Sequence, residues 1–229
     1  MMAALQAIVL DFDGVIANSE PLHLQAFQQA LADDDIELTA ADYYARYLGY
    51  DDVGMFEALA RDRAITMSDR HITALVARKG AKLQGMMDAG AVLFPGAKEF
   101  IRGAAAVVPI GIASGALRHE IEEVVDAAGM SDLFSTIVAS GDTAESKPSP
   151  APYRLAFERL CAITGRDLQT RRCVAIEDSR WGLESARGAG LRCVGVTTSY
   201  PAGELVGAEL VVDGLKTLTL PALDRLVSS

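Results

Sequence analysis

The sequence predicts an α/β fold: a doubly wound, mostly parallel sheet with an all-helical segment inserted after the first strand. Three observations carry that prediction. Short β-branched runs recur along the chain, and helix-period segments separate them. The interval between the first two runs is far longer than a strand-to-strand crossover needs.

The first run is Ala7 to Leu10 and the second "VVPIGIAS", Val107 to Ser114. "STIVAS" (Ser135 to Ser140), "RCVAIEDS" (Arg172 to Ser179) and "RCVGVTTS" (Arg192 to Ser199) follow, with an edge strand expected at "ELVVD" (Glu209 to Asp213). Among the intervening segments, "ALRHEIEEVVDAAG" places Leu117, Ile121, Val124, Val125 and Ala128 on one face and stops at Gly129. "PAPYRLAFERL" opens with prolines suited to a first helical turn. About a hundred residues separate Asp11 from the second run, and helical patterns fill the excess. "SEPLHLQAFQQAL", "DDVGMFEALARDRA" and "SDRHITALVARKGAKLQGMM" are the three clearest. Gly85, Gly90 and "FPG" (Phe94 to Gly96) punctuate the return. The boundaries read as a core of residues 1–17 and 92–229 and a helical domain of residues 18–91.

Composition narrows the function classes. At 229 residues and 50% apolar, the chain can bury one large core, or a core plus a smaller insert. Its formal charge of −10 repels nucleic acid and anionic membrane, so neither is an expected partner. Cys161, Cys173 and Cys193 form no CxxC pair and read as buried free thiols. The start, "MMAALQAIVLDFDG", lacks a basic region, and no apolar run reaches spanning length. The expectation is a cytoplasmic protein, monomeric or weakly self-associating.

The chemistry gathers at strand ends. Asp11 and Asp13 follow the first run, Ser114 and Gly115 the second, Lys147 of "SKPSP" the third, and Glu177 with Asp178 the fourth. Alone, the two aspartates and Gly14 also suit a solvated turn. Together, the strand ends of an open α/β sheet meet on one edge, where ligands bind. Crowded carboxylates raise one another's pKa, and a hard divalent cation relieves the conflict; oxygen-only ligation suits magnesium. Ser114, nearby amides and Lys147 add donors for a second anionic group, most economically a phosphoryl group. Asp11 is then placed to attack phosphorus, and Asp13 to protonate the leaving oxygen and later activate water.

"DFDGV", the Ser114 strand end, "SKPSP" and "IEDS", in this order, resemble the four motifs of the haloacid dehalogenase superfamily. "DFDGVIANSEPLH" and "IEDSRWGLESARGAG" are most similar to its beta-phosphoglucomutase-like branch. The resemblance spans essentially the whole chain and implies a Rossmann-like core with a helical cap of the first type. It implies Asp11 as nucleophile and magnesium ligand, and Asp13 as acid/base with its backbone carbonyl on the metal. Ser114 and Lys147 would hold phosphoryl oxygens, with Gly14 and Gly115 at the substrate. Asp178 would bind magnesium, and Glu177 would help directly or through water. His23 falls where mutase relatives carry a cap histidine that gates Asp13, although a helix-surface histidine fits equally. Arg118 either reaches a distal substrate group or is a solvated helix charge. Trp181 reads as packing more than as a substrate platform. His71 and His119 read as surface residues, and Tyr50, Asp51 and Asp52 as part of a cap loop.

The reading is therefore a magnesium-dependent phosphatase acting on a small phosphorylated metabolite such as a sugar phosphate. The alternative is a phosphosugar mutase. Mutase relatives grip a second phosphate with a lysine and an arginine around the cap loop, where this chain has Leu48 and Asp52. A phospho-accepting receiver module is a remote alternative, since its acceptor aspartate ends a middle strand and no large insert interrupts its first crossover.

Overall fold

The computed structural model describes residues 4–48, 50, 52–87 and 93–228. Asp51, Gly90 and the expected 91/92 boundary lie outside them. The chain forms two compact units, Met1–Asn18 with Val92–Ser229, and Ser19–Ala91.

The first unit is built on six strands: β1 (Ala7–Leu10), β2 (Ile110–Ala113), β3 (Thr136–Val138), β4 (Cys173–Glu177), β5 (Arg192–Val196) and β6 (Leu210–Val212). All neighbouring pairs are parallel, in the order β3-β2-β1-β4-β5-β6. Strands of "AIVL", "IGIA" and "CVAIE" are buried at every position, as a parallel sheet covered on both faces requires. Ala7, Val9, Ala175 and Cys193 point to one face, with Tyr153, Ala156 and Leu160 of α7 (Ala151–Thr164) and Leu183 and Ala186 of α8 (Arg180–Gly188). Alternate residues such as Ile8, Leu10, Ile112 and Ile176 point to the other face and are equally buried.

The expected strand from Val107 shortens to Ile110–Ala113 for a physical reason. The Val107 and Val108 amides still donate to Ala104 O, closing α5 (Ala97–Ala105), and Pro109 has no amide to give a ladder. The remaining core helices are α6 (Arg118–Ala127) and α9 (Leu220–Ser228). Register matters most at the centre. Leu10 pairs with both Ile112 and Ile176, so β1, β2 and β4 end level with one another. The strand order turns around between β1 and β4, and that reversal opens a crevice at their carboxyl ends.

The second unit is helical: α1 (Glu20–Ala32), a single-turn α2 (Ala40–Asp42) running into a π-helical turn (Tyr43–Tyr47), α3 (Asp52–Asp62) and α4 (Asp69–Met87). Pro21 in the first turn of α1 costs no hydrogen bond, and Thr39 caps α2 by accepting from Asp42 N at 3.1 Å. The unit has its own apolar core, in which Phe27 meets Phe56 edge-on at 5.3 Å, packed with Leu31, Leu59 and Leu75. Leu59 is fully buried there. Leu59→Ala should cost the helical unit about 2–5 kcal/mol in urea unfolding; a loss below about 1 kcal/mol would show that this core is not tightly packed.

Candidate active site

Asp11 continues β1, and its amide donates to Ile176 O of β4 at 3.0 Å. This bond fixes its place beside Glu177, which ends β4, and Asp178, which follows it. One carboxylate oxygen from each of Asp11, Glu177 and Asp178 falls within 4.8 Å of the others, and all three residues are buried. Lys147 closes the cluster, with Nζ 2.9 Å from Asp11 Oδ1 and 2.6 Å from Glu177 Oε1. Ser114 follows β2 and is also buried; its amide donates to Val138 O at 2.9 Å and its Oγ accepts from Ala116 N at 3.0 Å.

Electrostatics follow from the crowding. Burial, then the Glu177 charge, raises Asp11 to about 7 against the pull of Lys147. Burial, with Glu177 and Asp11 next, pushes Asp178 well above the carboxylate range, although Ser199 Oγ donates to its Oδ2. Burial works against the Lys147 ammonium, but Asp11 and Glu177 outweigh it and raise its pKa. With all four groups ionised, three carboxylates and one ammonium leave two negative charges uncompensated. A divalent cation cancels that excess, and the all-oxygen donor set suits a hard ion such as magnesium.

The three acids are not equivalent. Glu177 has no exposed surface, and both of its oxygens are engaged. Oε1 accepts from Lys147 Nζ and from Tyr153 OH at 3.0 Å. Oε2 accepts from Asp178 N at 3.1 Å, Ser179 N at 3.2 Å and Ser179 Oγ at 3.0 Å. Asp11 and Asp178 are therefore the acids with greater freedom to hold an ion. Two glycines make room for these side chains. A methyl group on Gly14, whose φ is +76°, would overlap the Asp178 carboxylate, and one on Gly182 would overlap that of Glu177.

Asp13 is only partly buried, forms a bridge with Ala17, and adds no carboxylate to the cluster among the described residues. Gly115 is exposed beside Ser114. Arg118, expected either at a distal substrate group or as a solvated helix charge, is engaged by the chain itself. Its guanidinium donates to Asp142 Oδ2 at 2.7 Å and to Ile137 O at 3.1 Å, and lies 3.5 Å from Glu122. Trp181 is 43% exposed and stacks with the Arg180 guanidinium, 4.1 Å from the ring centroid. His71 meets Asp34 at 3.1 Å. All three cysteines are free thiols.

His23 belongs to the helical unit and is packed rather than solvated. Its Nδ1 lies 3.1 Å from Lys79 Nζ, which also donates to Asp52 Oδ1 at 2.7 Å and lies 4.8 Å from the Phe27 centroid. Lys79 is 1% exposed, and these contacts take the place of water around its ammonium. With Lys79 donating, Nδ1 accepts and the ring is neutral; burial and the Lys79 charge lower the His23 pKa to about 3.

Sequence reasoning missed Tyr153, Ser179, Gly182 and Ser199. Ser199 carried the clearest signal, because it closes the fifth β-branched run as the acids close the first and fourth. Ser179 caps α8, its Oγ accepting from Gly182 N at 3.1 Å.

An open parallel sheet with buried acids and a lysine at its switch point defines a hydrolase of the haloacid dehalogenase type. The family model described as haloacid dehalogenase-like hydrolase matches residues 5–190, and the chain belongs to that family. It is similar to the protein CbbY of Rhodobacter capsulatus, 32% identical over 87% of this chain and 88% of that protein. It is also similar to the phosphoglycolate phosphatase of Yersinia pestis, 26% identical over 89% of this chain and 85% of that protein. Among solved structures, a mutant CbbY from Rhodobacter sphaeroides in complex with xylulose-1,5-bisphosphate superposes with a TM-score of 0.83 at 29% identity, covering 96% of this chain and 99% of that one. No described helix is long and apolar enough to cross a membrane.

Two outcomes test this geometry. Gly182→Ala should destabilise the core unit by at least about 2 kcal/mol in denaturant, since Glu177 has nowhere to retreat; wild-type stability would mean the pocket yields. For His23 the folded pKa lies below the usual 6.5, so between about 3 and 6.5 the unfolded chain binds the extra proton and stability falls as pH falls. His23→Gln, compared with the parent by thermal melts, should remove on the order of 1 kcal/mol of that loss at pH 5. Parallel pH profiles for the two proteins would contradict the assignment.

Proposed function

We propose that this protein is a magnesium-dependent phosphatase that hydrolyses a small phosphorylated metabolite, such as a sugar phosphate, through an aspartyl phosphate on Asp11. The observation that carries the reading is the buried Asp11 and Asp178 at the ends of β1 and β4, with the Lys147 ammonium from the segment after β3 placed against Asp11. The phosphatase relative and the CbbY structure bound to a phosphorylated sugar support the same substrate class.

Asp11 and Asp178 would hold the magnesium ion, with the Asp13 backbone carbonyl as a further oxygen donor. When bound, the ion supplies positive charge against the phosphoryl oxygens. Lys147 and the Ser114 hydroxyl hold those oxygens. An Asp11 carboxylate oxygen bonds to phosphorus as the bond to the leaving oxygen breaks, and Asp13 gives its proton to that oxygen. Asp13 then takes a proton from water; the water oxygen bonds to phosphorus, and the bond to Asp11 breaks to release phosphate. Glu177 orients Lys147, with Tyr153 and Ser179 holding Glu177 in turn. The helical unit serves as the cap that selects the leaving group. Simple hydrolysis is favoured over phosphosugar transfer because Asp52 stands where mutases carry a cation, and it accepts from Lys79. Free thiols support a reducing cytoplasm as the working compartment.

A screen of sugar monophosphates, sugar bisphosphates and phosphoglycolate, read as phosphate release with magnesium, tests the class; turnover of none would contradict it. Asp11→Asn should lower kcat by more than about 10³-fold while the melting temperature stays within a few degrees. Chelation should abolish activity, and added magnesium should restore it. Near-normal turnover by Asp11→Asn would overturn the nucleophile assignment.

A further inference from the structure

Lys147 lies on the segment joining β3 to α7, and a lysine on a loop needs something to fix it. One side of that segment is tied by a charge cluster outside the acidic site. Asp142 Oδ2 accepts from Arg118 Nη2 of α6 at 2.7 Å and from Arg159 Nη1 of α7 at 3.0 Å. Both arginines also donate to the carbonyl oxygen of Ile137 in β3, at 3.1 and 2.9 Å. The Ala139 amide approaches the same Asp142 oxygen at 3.4 Å, and Asp142 N donates back to Ala139 O at 3.1 Å. Two helices and the end of one strand thus converge on a single carboxylate and a single carbonyl. Burial would raise the Asp142 pKa, but the Arg159 and Ala139 hydrogen bonds and the two guanidinium charges outweigh it and hold the carboxyl low.

The cluster borders both phosphoryl-binding positions. Ser140 N donates to Ala116 O at 2.9 Å and Ser114 N donates to Val138 O at 2.9 Å, so the turn after β2 is stitched to the residues that Asp142 anchors. Beyond Lys147, Ser185 Oγ of α8 donates to Ser149 O at 2.5 Å, and Ser149 Oγ donates to Glu145 Oε2 at 2.7 Å. Lys147 is therefore suspended between an anchor at Asp142 and another at Ser149. Glu122, 3.5 Å from Arg118, is the other acid at the cluster. Among the described residues neither arginine pairs with Asp11, Glu177 or Asp178; both donate to Asp142 and to the Ile137 carbonyl.

We propose that Arg118, Asp142 and Arg159 form a positioning unit that sets where the Lys147 ammonium and the Ser114 hydroxyl meet a phosphoryl group. The proposal rests on the reading of Lys147 as a phosphoryl-holding residue. It assigns Arg118 to the architecture of the site instead of to the substrate. Losing the anchor lets the Lys147 loop sample positions in which the ammonium no longer meets the phosphoryl oxygens, and small displacements of such groups are costly in rate.

The test is a double-mutant cycle on p-nitrophenyl phosphate hydrolysis with magnesium, together with inhibition by inorganic phosphate. Asp142→Asn, nearly isosteric, should lower kcat/KM about 10-fold and weaken phosphate inhibition about 5-fold, with the melting temperature shifted by only a few degrees. In a Lys147→Ala background the same change should matter clearly less, about 3-fold or below, because one of the two groups it positions is gone. Arg118→Lys with Arg159→Lys, which keeps the charges, should remain within about 3-fold of the parent, while Arg118→Gln with Arg159→Gln should resemble Asp142→Asn. Wild-type kinetics for Asp142→Asn, or an undiminished effect in the Lys147→Ala background, overturn the positioning unit alone. Wild-type efficiency for Lys147→Ala overturns the phosphoryl-holding reading itself and the proposal with it.

Discussion

Three carboxylates buried against one ammonium form the constraint on which the rest of the structure depends. Carboxylates leave water only when charge and hydrogen bonds replace it. Glu177 meets that condition within the protein, through Lys147, Tyr153, Ser179 and the Asp178 amide. Asp11 and Asp178 meet it incompletely, and their raised pKa values record the shortfall. In an acidic protein of net charge −10, a placed lysine supplies positive charge at this point, and the three carboxylates around it form an oxygen donor set of the kind a hard cation takes.

The fold supplies that crowding at little cost in chain. Parallel pairing of Leu10 with Ile112 and Ile176 ends three strands level, so side chains far apart in sequence meet without long loops. Gly14 and Gly182 then clear space that any larger residue would fill. Helix starts contribute as well. Ser179 caps α8 and also donates to Glu177, so one side chain serves both the helix and the acid that orients Lys147.

Much of this was legible in the sequence, and the exceptions have physical causes. β-branched runs marked every strand, because a doubly covered parallel sheet demands unbroken apolar segments. The Val107 boundary was misplaced because apolar residues ending a helix look the same as those starting a strand until backbone donors are traced. The strand-end acids were visible as a set, being charged residues where a core strand stops. Their supports were not. Tyr153 looks in sequence like any aromatic on a helix face, and only the folded chain places its hydroxyl on Glu177. Arg118 is a similar case. Its closeness in sequence to Ser114 left a substrate contact and a solvated helix charge equally open, and only the folded chain shows its guanidinium on Asp142 and β3.

The role of these strand-end acids turns on whether their pocket takes up a divalent ion. Calorimetric titration of magnesium into the metal-free protein asks this directly, with Asp178→Asn as the control. One ion should bind per chain in the parent, and the variant should lose at least about tenfold in affinity. A parent that binds no magnesium, or a variant that binds it equally well, would contradict that role.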